Sequence, residues 1–227
     1  MLSEILKKET EPMIEAIYSD AFIQGLIRGD IDDAAVAHYL RADSLYLDEF
    51  AKLYALLISK TESKETVRFL MGQMAFLMDG ESEAHEVLAH AINRSYADII
   101  KDGEWYPSAD HYIKHMYFNA FTREHIAYAI SAMAPCPYVY RRIADMALAR
   151  HTFETDHPYR KWFEFYVNDM DDTINVMFDI MDDAARSMTE KEIDVLKKNY
   201  IESTEHERRF FNMAATKEEW TGVGTHA

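Results

Sequence analysis

Apolar residues recur at steps of three and four over residues 3–19, 32–60, 64–97, 108–133, 137–150, 158–186 and 189–214, the spacing that lines one face of an α-helix. No stretch alternates at period two for long enough to predict a strand. The pattern therefore predicts an all-α chain of about seven helices, broken at 24–30, 101–107 and 151–158. Start signals sharpen two boundaries: Ser108 precedes an aromatic-rich helix, and Thr189-Glu190-Lys191-Glu192 has the form of a capping box. With 7 Gly and 5 Pro in 227 residues, little interrupts these elements. The expected architecture is one helical bundle over residues 1–220, with a central cavity able to hold a ligand and a frayed tail at 221–227.

Composition narrows the function classes. The chain is 48% hydrophobic and 13% aromatic, enough for a sizeable core in one domain. Lys and Arg number 24 against 40 Asp and Glu, a net charge of -16. Such a surface repels phosphate backbones and anionic lipid, and no basic patch interrupts it, so neither nucleic acid nor a membrane is an expected partner. No run of about 18 apolar residues marks a membrane span, and the opening residues lack the charge and apolar pattern of a secretory leader. A single cysteine allows no internal disulfide, in keeping with a reducing compartment, and a cytoplasmic location is expected.

Candidate chemistry lies where polar groups fall on apolar faces. Tyr39, Asp43, Tyr46 and Phe50 follow steps of four, three and four, so Asp43 sits in an apolar stripe. On the last helix the core positions run Ile193, Leu196, Tyr200, Ser203, Glu207, Phe210 and Ala214, which puts Glu207 inside. A carboxyl group buried beside Phe210 suits general acid and base work. The alternative for either acid is a structural carboxylate held by an arginine or a tyrosine. Tyr112 opens an aromatic stripe, Tyr140 lies one turn after Cys136 and Tyr166 one turn after Trp162; each can stack on a planar heterocycle, although core packing is the commoner reason for any single tyrosine. Cys136 lies between Pro135 and Pro137. The spacing places it in the cap of a helix starting at Pro137, where free amides and the helix dipole favour a thiolate. The competing reading is a small buried hydrophobe.

Taken together, the residues carry a resemblance. Gln24-Gly25, Tyr39-Leu40-Arg41-Ala42-Asp43-Ser44-Leu45-Tyr46-Leu47, Tyr112-Ile113-Lys114-His115-Met116-Tyr117, Pro135-Cys136-Pro137-Tyr138-Val139-Tyr140, His157-Pro158-Tyr159-Arg160-Lys161-Trp162 and Glu207 before Phe210-Phe211 occur in the order and spacing of the TenA family, thiaminase II or aminopyrimidine aminohydrolase, over about residues 5–215. The resemblance implies a haem-oxygenase-like helical bundle, a homotetramer, and salvage of the thiamine pyrimidine without metal or organic cofactor. The implied reaction converts 4-amino-5-aminomethyl-2-methylpyrimidine to the hydroxymethyl pyrimidine and ammonia, with thiamine as a slower substrate. It also implies roles: Cys136 as nucleophile, Glu207 as proton manager, and Asp43 as partner of the amidine edge. Tyr112 and Tyr166 orient the nucleophile and ring, and Tyr46, Tyr140 and Phe210 form aromatic walls.

Some positions depart from the family pattern. Leu45 and Pro137 stand where an aromatic is common, and the segment His206-Glu207-Arg208-Arg209-Phe210-Phe211 lacks the usual tyrosine before the glutamate and tryptophan at its end. These positions touch the pocket wall, so they bear on substrate preference. Two other readings compete. A metal-dependent oxygenase could use Glu86 with His90 and His111 with His115, although the sole Glu-x-x-His, Glu154 to His157, falls in a predicted loop. A pyrimidine-binding regulator without turnover would use the same aromatic pocket.

Overall fold

In the computed structural model, which describes residues 1–79 and 82–222, the periodicity resolves into twelve α-helices: α1 (Leu2–Ser19), α2 (Ala21–Arg28), α3 (Asp33–Ile58), α4 (Lys64–Asp79), α5 (Ser82–Ala91), α6 (Tyr96–Ile100), α7 (Pro107–Thr122), α8 (Ala127–Met133), α9 (Pro135–Arg150), α10 (Arg160–Asp169), α11 (Asp171–Ala185) and α12 (Glu190–Thr216). Among the described residues there is no strand. Three long predicted helices are each divided, and the predicted break at 24–30 is largely helical. Asp20 adopts an extended conformation that starts α2, whose Phe22, Ile23, Leu26 and Ile27 are buried. Gly29, at φ 75, then turns the chain in the left-handed region that favours glycine. Asn93, at φ 55, and the Ser95 cap of α6 likewise divide a stretch whose apolar spacing runs on without interruption. The capping box at Thr189 and Glu192 forms as expected. Thr221 and Gly222 form a turn, and the rest of the expected tail lies outside the described residues.

One apolar core joins the helices, and α12 runs through its middle against α1, α2, α3, α7, α8 and α9. Its Leu196, Tyr200, Phe210 and Ala214 are buried, as their spacing predicts, as is Phe211 outside that run, and Glu207 is buried with them. Burial of such large side chains contributes about 1.5–3 kcal/mol each before entropy is counted. Several polar groups inside the core are paired across helices. The Asn199 side-chain amide of α12 donates to Asn119 Oδ1 of α7 at 2.8 Å and to the Tyr128 carbonyl of α8 at 3.1 Å. Ser3 donates its hydroxyl and amide to the two oxygens of Asp182, tying α1 to α11. Among the described residues no helix is long and apolar enough to cross a membrane.

Histidines in this core govern its response to acid. Burial holds His206 down to about 3 and His38, stacked on Tyr106 at 3.6 Å, down to about 4. Burial lowers His115 as well. Below the ordinary histidine pKa of about 6.5 the unfolded chain takes up protons that the folded chain refuses, so stability present above that pH is lost as it falls toward 4. Urea unfolding should lose up to about 1.4 kcal/mol per pH unit for each of His38 and His206 in that window. A stability that stays level from pH 7 to pH 5 would contradict this origin.

Candidate active site

Cys136 sits in the first turn of α9, but not as its cap. The helix starts at Pro135, after Ala134, whose helical angles (φ -61, ψ -28) continue directly from α8. Both prolines fit because amides of a first turn have no intrahelical acceptor to lose. The same prolines remove two of the three amides that would favour a thiolate there. Support comes from Tyr46 on α3, whose hydroxyl interacts with the Cys136 thiol and also reaches Met116 Sδ at 4.0 Å. Cys136 is partly exposed and borders an internal cavity with about 400 Å³ of empty space, counted to its mouth.

Four helices feed a hydrogen-bonded chain leading away from this thiol. The Tyr46 hydroxyl also meets the hydroxyl of Tyr112 on α7, their rings 5.4 Å apart. Tyr112 donates to Glu207 Oε1 on α12 at 2.6 Å. Burial, followed by the charges of neighbouring Cys136 and Glu207, raises both phenols well above their ordinary pKa. They therefore remain O–H donors at neutral pH. Phe210 closes this side, its ring 5.5 Å from Tyr46. Glu207, one turn earlier on α12, is only 2% exposed.

Asp43 enters from α3, one turn before Tyr46 and Leu47, and is 4% exposed. Its Oδ2 lies 2.7 Å from His85 Nε2 on α5. Tyr140, on α9 one turn after Cys136, is the meeting point. Burial first, and then the charges of Asp43 and Glu207 and the nearby Tyr166 and Cys136, push its hydroxyl pKa well up. Tyr140 shares a 2.7 Å hydrogen bond with Tyr39, and its ring lies 4.8 Å from that of Tyr166 on α10. Cys136, Tyr140 and Tyr166 line the cavity itself, whereas Asp43, Tyr46, Tyr112, Glu207 and Phe210 lie outside that lining. Phe50, Tyr54, Phe76 and Met170 complete an apolar wall between α3, α4 and the α10–α11 junction. Aromatic walls with a thiol at the edge suit a flat heterocycle, and the two carboxylates stand behind that lining.

Several neighbours escape the sequence reading. His85 is the foremost, 1% exposed and in a core position of α5 with Leu88, Ala89 and Ile92. Those positions, three, four and seven residues after His85, are a signal the sequence does carry, masked by the adjacent Glu86. The histidine pairs proposed as metal ligands are arranged otherwise. Glu86 and His90 face solvent on α5, while His111 and His115 pack against His206 of α12, with ring centroids 4.7 and 5.4 Å away. Among the described residues no group of three or more potential ligands converges. His157, in the predicted loop, accepts the Tyr159 amide at Nδ1 and donates from Nε2 to the Ile27 carbonyl at 3.0 Å, pinning the α9–α10 connection to α2.

Comparison with known proteins places this geometry. A family model described as the TENA/THI-4/PQQC family matches residues 7–217. The chain belongs to the TENA/THI-4/PQQC family. Relatives include the aminopyrimidine aminohydrolase of Staphylococcus saprophyticus, 49% identical over 99% of this chain and 98% of the relative. That of Staphylococcus aureus is 49% identical over 96% of this chain and 95% of its own. Among solved structures, a TenA homologue from P. horikoshii OT3 superposes with a TM-score of 0.80 at 22% identity, covering 95% of this chain and 99% of that one. A domain with a haem-oxygenase-like fold from Shewanella denitrificans matches at 0.73 and 15% identity, over 94% and 92% of the two chains. The all-α bundle expected from the sequence is thus the fold that this family shares.

Proposed function

We propose that this chain is an aminopyrimidine aminohydrolase of thiamine salvage, converting 4-amino-5-aminomethyl-2-methylpyrimidine and water to the hydroxymethyl pyrimidine and ammonia. The observation that carries the reading is the continuous path from Cys136 through Tyr46 and Tyr112 to Glu207, beside a cavity lined by Tyr140 and Tyr166. The ring lies against these tyrosines with its amidine edge toward Asp43. The Cys136 thiolate, supported by the Tyr46 hydroxyl, bonds to the ring carbon next to the one bearing the aminomethyl group, and a ring nitrogen takes up a proton. With aromaticity broken, the ring electrons expel the amine, to which Glu207 gives a proton, and ammonia leaves. Glu207 then takes a proton from water as the water oxygen bonds to the exocyclic methylene. Expulsion of the thiolate, with loss of the ring proton, restores the aromatic ring. Thiamine enters the same sequence with its thiazole as leaving group. A homotetramer and a cytoplasmic location belong to the same proposal.

The test is release of ammonia from the aminomethyl pyrimidine, with the hydroxymethyl pyrimidine appearing in equal amount. Thiamine should be cleaved more slowly by the same preparation. Tight binding of the pyrimidine with no ammonia released would overturn the hydrolase reading in favour of a binding protein.

A further inference from the structure

The reading above gives Asp43 the amidine edge of the substrate, yet a carboxylate only 4% exposed is costly to keep ionised. A carboxyl group that took up a proton there would offer an O–H toward an edge that itself presents N–H donors. One neighbour addresses both problems. His85 Nε2 lies 2.7 Å from Asp43 Oδ2, with His85 1% exposed and the two residues on separate helices, α5 and α3. Around the imidazole stand the ring of Tyr96 from α6, 5.0 Å away, and the carboxylate of Asp43 from α3. Asp48 and Ser44 share with His85 the lining of a second cavity, with about 840 Å³ of empty space counted to its mouth. The charge of Asp43 reaches Tyr140 in the wall of the reactive cavity, while His85 lines the second cavity, and Leu47 and Leu77 border both.

Resting on the function proposed above, we propose that His85 is a positioning residue for it. Its Nε2–H donates to Asp43 Oδ2, which fixes the carboxylate's rotamer and keeps it turned to accept from the amino group of a 4-aminopyrimidine. A hydrogen bond to an ionised partner is among the stronger ones, and its loss inside a protein leaves the buried acceptor unsatisfied. Imidazole also fixes which nitrogen carries the proton, as it does where a carboxylate orients a histidine.

The experiment compares His85→Leu, which removes the donor, with His85→Gln, which keeps one at similar reach and cannot titrate near neutrality. Calorimetric binding of the hydroxymethyl pyrimidine and kcat/KM are measured for both. His85→Leu should weaken binding about 10- to 100-fold and lower kcat/KM by a similar factor. His85→Gln should bind within about threefold of the wild type and restore kcat/KM. A folded Leu variant with wild-type affinity and kcat/KM overturns the proposal, as does a Gln variant as impaired as Leu, since that marks a packing role. Nitrogen NMR of wild-type histidines provides a check that does not depend on the variants folding. A neutral His85 protonated at Nε2 at pH 7 is expected, and the opposite tautomer overturns the assignment. Absence of ammonia release by the wild type would instead overturn the hydrolase reading, while the affinity comparison still decides the role of His85.

Discussion

Cys136→Ser lowers ammonia release at least about 10³-fold, while affinity for the hydroxymethyl pyrimidine stays within about threefold of the wild type. The reason lies in what surrounds the thiol. A thiol ionises near neutrality and is intrinsically nucleophilic, whereas a serine hydroxyl needs an adjacent base to attack a ring carbon. The contact on offer is the Tyr46 hydroxyl, raised well above its ordinary pKa by burial and by the charge of Cys136. A phenol in that state donates and does not abstract. The two prolines flanking Cys136 leave little backbone assistance in the turn, so no compensating group takes over. Steady-state ammonia assays with calorimetric binding measure both halves of the expectation. Undiminished turnover by the serine variant would show that the thiol is not the nucleophile.

Glu207→Gln costs about 10²- to 10⁴-fold in kcat, the range for removing a positioned proton donor and acceptor. Glutamine keeps the shape, and its carbonyl oxygen can still accept from Tyr112, which donates to Glu207 at 2.6 Å in the present arrangement. Packing around Phe210 is untouched, so the thermal midpoint should move by only a few degrees. The loss should fall on kcat more than on KM, because Glu207 acts when the amine leaves and when water adds. A glutamine variant with full kcat would exclude Glu207 as the proton carrier and shift attention to Asp43.

Much of this site could be read along the chain because helical spacing converts directly into faces. The stripe of Tyr39, Asp43, Tyr46 and Phe50 is buried as a unit, and Glu207 falls between Ser203 and Phe210 inside the core. What escaped depends on information that periodicity does not hold. The helix break at Arg123, where the backbone turns extended, leaves the apolar spacing on either side in phase. The α10–α11 junction at Met170 does the same, so each pair reads as one long helix. The α2 segment is the converse. Its Gln24-Gly25 reads as a break, while four buried apolar residues make it a helix. Pro135 and Pro137 both suit a helix start, and the helical Ala134 before them, set by continuity with α8, decides between them. The partner of Asp43 was hidden for a different reason. His85 is 42 residues away, and only the packing of α5 on α3 brings the two together.

The Asn199 amide, which joins α12 to α7 and α8, acquires a meaning beyond stability. The members of the path from thiol to carboxylate come from α9, α3, α7 and α12, so the relative register of four helices becomes a chemical variable. Sliding α12 by a single residue displaces it by about 1.5 Å along its axis, enough to carry Glu207 out of reach of a Tyr112 hydroxyl now 2.6 Å away. Mid-core amides such as Asn199 thus act as alignment pins. Sequence change at such a pin would be felt as altered reactivity before it was felt as unfolding.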